Sequence, residues 1–168
     1  MTNANKAKAV VLCSLMGSLF AAAPGMTEDL PKSGTINIHT GWKIVPEVFE
    51  APEKRSVGHG TVVGINFNDK GSGPLHNGPA ICVFTFLGDD NTSKEKGYCA
   101  FGDADGDRIF TDWDGADDGT NNQGINRIAG GTGKYKGITG SGPWKCWGTA
   151  NAQASRCIQT FNYKLPGS

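Results

Sequence analysis

The chain has 168 residues with 16 basic and 16 acidic side chains, and charged residues make up only 19% of it. Its Lys and Arg residues are scattered along the sequence, with Lys54 and Arg55 the only adjacent pair, which argues against the basic stripe that nucleic-acid binding normally requires. The length fits one ordinary domain with a hydrophobic core.

The first 25 residues have the pattern of an export signal. Lys6 and Lys8 give a positive start, and residues 9–23 form an apolar stretch that ends in small residues. This stretch is too short for a comfortable membrane span. We therefore expect cleavage after Gly25, a single mature domain over residues 26–168 that is secreted or periplasmic, and no membrane attachment of that domain. A retained N-terminal helix or anchor is the alternative.

After the signal, turn-rich intervals separate β-prone segments, and no amphipathic helix is evident. The predicted strands cover residues 34–44, 57–68, 79–88, 95–102, 107–113, 122–129, 134–147 and 155–164. Eight strands in an antiparallel meander can close on themselves, which removes exposed sheet edges. The prediction is therefore an all-β, eight-stranded antiparallel β-barrel. The polar, proline-containing connection 45–55 is either a mobile flap or an ordinary solvated loop.

Alternation along the strands predicts which side chains face the inside. The predicted inward sets are Ile36, Ile38, Trp42 and Ile44; Val57, His59, Thr61, Val63, Ile65 and Phe67; Ile109, Thr111 and Trp113; and Cys157, Gln159, Phe161 and Tyr163. From these sets we predict that Trp42, His59, Trp113 and Tyr163 line a common ligand-binding cavity.

Four cysteines remain after the signal. Cys82 and Cys99 lie nearly symmetrically about a polar turn at 89–91, and Cys146 and Cys157 do so about residues 149–154. Each pair can face across one hairpin, so we predict the disulfides Cys82–Cys99 and Cys146–Cys157, as expected in an oxidising compartment. Four buried thiols or a zinc site is the alternative, although no C-x₂-C spacing occurs.

Carboxylates alternate at Asp103, Asp105 and Asp107, as they do at the start of a calcium loop. Arg108 stands where such a loop needs glycine, and Asp114 stands where it needs a bidentate glutamate. We favour a hairpin turn stabilised by these aspartates, with calcium binding as the alternative. We predict no metal or other cofactor.

His39 and His59 would face each other if the first two strands paired about residue 49. Together with His76 they could then bind zinc or copper. The long connection leaves that register open, and ordinary surface histidines are the simpler interpretation. No G-x-S-x-G motif occurs, so catalytic residues stay unassigned.

The segment Gly130–Gly142, GGTGKYKGITGSG, places glycines at strand corners with the bulky Tyr135 and Ile138 beside them. It resembles the GGTG-(K)-aromatic signature of dirigent proteins and, more loosely, of allene oxide cyclases. The resemblance implies an eight-stranded, calycin-like barrel whose aromatic pocket guides a reactive intermediate by shape. The catalytic acidic and arginine residues of these families have no match here.

Three functions are compatible with these features. The first is a binding or carrier protein for a small apolar or aromatic molecule, and the second is a cyclase, isomerase or coupling-guide enzyme. The third is a structural or interaction protein with a filled barrel. A cavity of about a few hundred Å³ would favour the first two. The sequence does not indicate the ligand or the oligomeric state.

Overall fold

The computed structural model of the protein describes residues 30–149 and 153–167. Eight β-strands and one short 3₁₀ helix account for most of this part of the chain. They are β1 (Ser33–Ala51), β2 (Arg55–Asn68), β3 (Gly78–Asp89), β4 (Thr92–Gly102), β5 (Arg108–Asp117), β6 (Asn122–Gly131), the 3₁₀ helix (Gly133–Tyr135), β7 (Thr139–Thr149) and β8 (Ala154–Lys164). The predicted signal, residues 1–25, lies outside the described residues. Within those residues, no helix is long and apolar enough to cross a membrane.

The strands form one closed antiparallel barrel in which neighbours in sequence are neighbours in the sheet. β8 closes it by pairing with β1, from Ser33 opposite Lys164 to Lys43 opposite Ala154. This architecture confirms the predicted all-β, eight-stranded antiparallel barrel. Closure gives every strand two partners.

The two ends of the barrel differ. Tight turns lie at one end, here called the open end, and the longer connections lie at the other, here called the closed end. At the closed end, Leu75 from the β2–β3 connection and Tyr135 and Ile138 from the β6–β7 connection are buried beneath the barrel. These side chains seal the closed end against solvent.

The half of the barrel next to the closed end is a solid apolar core. Ile38, Phe101, Ile109 and Phe161 are each at most 1% exposed. The rings of Phe101 and Phe161 meet edge to face with their centroids 5.3 Å apart. Burying each such side chain contributes about 1.5–3 kcal/mol, which makes this half the main source of stability.

The inward sets predicted for β1, β5 and β8 are confirmed. Ile36 and Trp42 of β1, Thr111 of β5, and Cys157 and Phe161 of β8 are all buried. Within the predicted bounds, each of these strands carries most of its bulky apolar residues on the inside, so alternation gives the correct phase.

The inward set predicted for β2 is wrong, because the strand faces the opposite way. Val57, His59, Val63, Ile65 and Phe67 lie on the outer surface, with Val63 still 41% exposed. The inner positions are occupied by Gly58, Gly60, Val62, Gly64 and Asn66. Glycine is needed at Gly58, Gly60 and Gly64 because large rings from β1 and β3 cover these three positions. The prediction places the bulkier of the two alternating sets of β2 side chains inside the barrel, and for this strand that choice is reversed.

The predicted connection at 45–55 is also wrong, both as a mobile flap and as an ordinary solvated loop. β1 runs on to Ala51 and pairs there with Arg55, so the connection is a tight turn with Glu53 and Lys54 at positive φ. The pairing of β1 with β8 ends at Lys43 and Ala154, so among the described residues Pro46, Glu47 and Glu50 pair with β2 alone and lie on an edge segment. Edge segments tolerate proline and charge, which is why this part looks like a loop in the sequence.

The predicted strand 134–147 begins later than expected. Residues Gly133–Tyr135 form a 3₁₀ helix, and β7 starts at Thr139. Gly133 and Gly137 adopt positive φ values of 49° and 76°, which turn the chain and place Tyr135 under the barrel. The glycine-rich segment is thus a corner that closes one end.

Candidate functional site

A cavity of about 640 Å³ occupies the open half of the barrel. One side is apolar and comes from β1 to β3, with Trp42, Ile44, Val62, Phe84 and Phe86 along it. The half-filled interior has a simple cause. The core side chains end at the level of Trp42, and large residues nearer the open end lie along the wall.

Five aromatic side chains of the cavity each lie over a glycine that stands directly opposite on an adjacent strand. The cross-strand pairs are Trp42 with Gly64, Phe86 with Gly58, Phe84 with Gly60, Trp113 with Gly97, and Trp144 with Gly124. A Cβ added at Gly58, Gly60, Gly64, Gly97 or Gly124 would stand less than 3.0 Å from the opposing ring. The rings therefore cover backbone instead of projecting into the lumen, which keeps the cavity open.

The other side of the cavity is polar. Glu95 of β4, Asp117 of β5 and Asn122 of β6 line it close to the open end. Glu95 Oε1 accepts hydrogen bonds from Ser93 Oγ at 2.9 Å and Asn122 Nδ2 at 3.5 Å. Burial raises the pKa of Glu95, and the neighbouring Asp117 adds to that rise against the lowering effect of the Ser93 hydrogen bond.

The floor of the cavity is a chain of buried polar side chains. Thr40 Oγ1 donates to Asn66 Oδ1 at 3.0 Å, and Gln159 Nε2 donates to Thr40 Oγ1 at 3.1 Å. Asn126 Nδ2 donates to Gln159 Oε1 at 3.0 Å. This network joins β1, β2, β6 and β8 across the barrel and separates the solid core from the open half. It fixes the floor because each buried group has a partner.

Both predicted disulfides are present and both line the cavity. Cys82 pairs with Cys99 across β3 and β4, and Cys146 pairs with Cys157 across β7 and β8. The bonds cross-link adjacent strands on opposite sides of the barrel. Disulfides of this kind are typical of proteins that fold in an oxidising compartment.

Two indoles form a corner of the wall. The rings of Trp113 and Trp144 meet edge to face with centroids 5.4 Å apart and an interplanar angle of 87°. The Nε1 atoms of both residues are buried and have no hydrogen-bond partner among the described residues. Edge-to-face packing presents the positive ring edge to a negative ring face, which stabilises this corner.

The structure brings together two of the four predicted site residues. Trp42 and Trp113 line the cavity. Tyr163 is buried but belongs to the closed-end core, where its ring packs against Gly34. His59 lies on the outer surface, and its Nε2 atom is 3.2 Å from Glu47 Oε2. The inverted phase of β2 accounts for the position of His59, and the depth of Tyr163 below the polar floor accounts for its separation from the cavity.

Several cavity residues were not identified from sequence. Trp144, Phe84, Phe86 and Glu95 all line the cavity. The aromatic residues could be identified from sequence if the hairpin registers were known, because each of them then stands opposite a glycine on the neighbouring strand. Register depends on the turn positions, which can be located only approximately from the sequence pattern.

The alternating aspartates form a structural cluster at the closed end. Asp103 Oδ2 accepts from Tyr135 Oη at 2.6 Å, and Asp103 Oδ1 accepts from the Leu75 backbone N–H. Lys134 Nζ lies 2.7 Å from both Asp103 Oδ2 and Asp105 Oδ2, and its backbone N–H donates to Asp107 Oδ2 at 3.1 Å. A lysine ammonium therefore occupies the position between carboxylates that the calcium alternative would assign to the ion.

The electrostatics of that cluster agree with a lysine-centred ion pair. Burial acts to lower the pKa of Lys134, but the hydrogen bonds to Asp103 and Asp105 outweigh it and raise that pKa overall. The Lys134 hydrogen bond lowers the pKa of Asp105. Burial and the bond to Asp103 raise the pKa of Tyr135, which keeps its hydroxyl protonated as a donor.

The three histidines are separated. β1 and β2 pair about a turn at residue 53, so His39 lies opposite Phe67 and His59 lies opposite Glu47. His76 accepts a hydrogen bond from the Asn68 backbone N–H. Among the described residues, no group of three His, Cys, Asp or Glu side chains is arranged to hold a metal ion.

No protein-family model matches the chain, and no curated protein sequence matches it significantly. A barrel fold alone supports many activities, so the cavity is the feature of this chain that bears on its function.

Proposed function

We propose that the open half of the barrel binds a small apolar or aromatic molecule, as a non-catalytic binding or carrier protein would. The observation that carries the proposal is the aromatic-walled cavity of about 640 Å³. Small-molecule pockets usually measure about 300–1,000 Å³ and combine apolar walls with a few polar groups. An aromatic ligand lying against Trp42, Phe84 and Phe86 would be stabilised by burial of both ligand and ring surface.

The protein is proposed to act outside the cytoplasm, as a secreted or periplasmic member of the allene oxide cyclase/dirigent-like barrels. The N-terminal signal pattern and the two disulfides support export. The closed eight-stranded barrel and the GGTG segment at Gly130–Gly133 support the family assignment. The expected partner is a small molecule and not a nucleic acid.

A second candidate is a cyclase, isomerase or coupling-guide enzyme, and Glu95 favours it. This carboxyl faces the cavity, and burial raises its pKa, so it would hold a proton at higher pH than an ordinary glutamate. A carboxyl with a raised pKa can act as a general acid toward a ligand in reach. The purely structural role has less support, because the open half is not filled by side chains.

The binding proposal is tested by blocking the lumen. Val62 lines the cavity, whereas the next residue, Val63, faces outward. Isothermal titration calorimetry with 1-naphthalenemethanol should show binding to the native protein and to Val63→Trp, and none to Val62→Trp. Unchanged melting temperatures would show that both variants fold. Equal binding by both variants, or no binding by the native protein, would refute the proposal.

The small molecules that co-purify with the protein distinguish a carrier from an enzyme. An organic extract of the purified native protein is separated by chromatography and analysed by mass spectrometry beside an extract of Glu95→Gln. A carrier yields the same compound from both. An isomerase yields two compounds of equal mass from the native protein, and only the substrate from the variant.

A further inference from the structure

We propose that the ligand of this cavity is an amphipathic organic cation, with an ammonium group attached to an apolar or aromatic body. The inference rests on the proposed binding function and specifies its ligand class. It is carried by the side chains around the cavity, which combine aromatic rings with carboxylates.

The ionisable side chains that line the cavity are all acidic within the described residues. They are Asp90, Glu95 and Asp117. Asp90 stands at the rim and pairs with Lys54, whose Nζ lies 3.3 Å from its Oδ1. Glu95 and Asp117 have no basic side chain within 4 Å among the described residues. The inner pair of carboxylates is therefore not neutralised by the chain itself.

Other basic groups stand outside the lining. Lys145 Nζ and the Arg156 guanidinium lie 5.5 Å and 5.3 Å from the ring centroid of Trp147 at the rim. Lys145 also donates to Asn121 Oδ1 at 2.8 Å. These contacts hold the two cations on Trp147 and Asn121, so a ligand ammonium would not compete with them for Glu95.

Glu95 is oriented to receive a donor. Its Oε1 atom is held by Ser93 and Asn122, and the Oδ1 atom of Asn122 is buried without a hydrogen-bond partner in the described chain. Burial and the like charge of Asp117 both disfavour the ionised form of Glu95 and raise its pKa. An ammonium between Glu95 and Asp117 would offset both effects and could donate to Asn122 Oδ1 as well.

The aromatic rings around the lumen also attract a cation. Trp42, Trp113 and Trp144, with Phe84 and Phe86, present aromatic surface to the cavity. The negative faces of such rings attract organic cations, with tryptophan the strongest of the aromatic side chains. An anion would meet the same rings and two carboxylates, and no basic side chain belongs to the described lining to balance them, so it should be repelled.

The two sides of the cavity also give the ligand an orientation. The apolar side, formed by β1 to β3, would hold the body of the ligand against Trp42, Phe84 and Phe86. The acidic side, formed by β4 to β6, would hold the ammonium at Glu95 and Asp117. A neutral aromatic molecule would use the first side and leave the second unpaired.

The test compares three probes of one shape: 1-naphthylmethylammonium, 1-naphthalenemethanol and 1-naphthoate. Calorimetry at pH 7.5 and low salt should rank the cation first, the neutral alcohol about tenfold weaker, and the anion weakest. Glu95→Gln should lower cation affinity about tenfold and leave the alcohol within about twofold. The matched control is Glu47→Gln, which removes an outer carboxylate paired with His59 and should change neither affinity.

Equal binding of cation and alcohol, or preference for the anion, would overturn the inference while leaving the binding function in place. Failure of all three probes to bind would overturn both. If Glu95→Gln does not fold, Asp117→Asn supplies the second variant. Raising the salt concentration should weaken the cation selectively, because screening reduces the charge term and not the burial of the ring.

Discussion

The indole of Trp42 lies over Gly64, its direct partner on β2, so that a Cβ added to Gly64 would stand 2.9 Å from Trp42 Cε3. Four further aromatic–glycine pairs repeat this relationship around the cavity. The glycines let the rings lie against the wall, so the open half keeps its space although it contains the largest side chains of the chain.

The first prediction concerns this pairing. Gly64→Ala should lower the free energy of unfolding by about 1–3 kcal/mol, because the new methyl group forces the Trp42 ring and the neighbouring backbone to move. Gly41→Ala is the matched control, since nothing lies within 4 Å of a Cβ there. It should be neutral or slightly stabilising. Urea unfolding followed by tryptophan fluorescence measures both, and equal losses would contradict the proposed role of the glycine.

The second prediction concerns the closed end. Tyr135→Phe removes the hydroxyl that donates to Asp103 and accepts from the Leu75 backbone N–H at 3.2 Å. The loss should cost about 1–3 kcal/mol, because buried polar groups lose a partner. Tyr98→Phe provides the control, as that residue is 68% exposed. Thermal unfolding of the two variants should separate them clearly, and a neutral Tyr135→Phe would show that the cluster is dispensable.

The third prediction concerns calcium. Because Lys134 lies between Asp103 and Asp105, calcium should leave the melting temperature of the native protein unchanged. Lys134→Met should lower the melting temperature by removing the ammonium from these carboxylates. Differential scanning calorimetry with calcium and with a chelator makes the comparison. A chelator-reversible stabilisation of the native protein that disappears in Asp105→Ala would establish a metal site instead.

The fourth prediction concerns the pH dependence of stability. The folded pKa of Glu95 lies above its unfolded value, so the unfolded chain releases this proton first. The contribution of Glu95 is therefore fully present below about pH 4.3, the usual glutamate value, and is lost as the pH rises through the raised pKa. Relative to native protein, Glu95→Gln should gain stability between pH 4 and pH 7. A native-minus-variant difference that does not change with pH, measured by urea unfolding, would show that Glu95 titrates normally.

The fifth prediction concerns the cross-links. Exported protein should show no free thiol on alkylation and two disulfides by intact mass. Replacing Cys146 and Cys157 by alanine should lower the free energy of unfolding by about 2–4 kcal/mol, because the unfolded chain gains freedom. Reducing agent should destabilise the native protein more than this variant, which retains one bond. A crossed linkage, such as Cys82 to Cys146, would contradict the hairpin pairing.

Much of the barrel could be predicted from local pattern. Cysteines placed symmetrically about turns gave both disulfides, and strands with bulky residues inside, such as the one carrying Ile36 and Trp42, gave the correct face. The inward set predicted for β2 is wrong because three of its five inner positions are glycines (Gly58, Gly60 and Gly64), so the bulkier side chains of this strand lie on its outer face. Two of the four predicted site residues therefore lie outside the cavity. His59 lies on the outer surface because β2 faces the opposite way. Tyr163 lies below the polar floor, which depends on three-dimensional hydrogen bonds of Thr40 and Gln159 that the strand pattern does not show.

The sealed end has a kinetic consequence for anything that the barrel takes up. Leu75, Tyr135 and Ile138 close one end and the polar floor lies across the middle, so among the described residues the cavity opens only between the tight turns. If the proposed ligand binds there, one molecule would have to leave before the next could enter. The side chains at that doorway, more than those at the floor, would set how long a molecule stays inside.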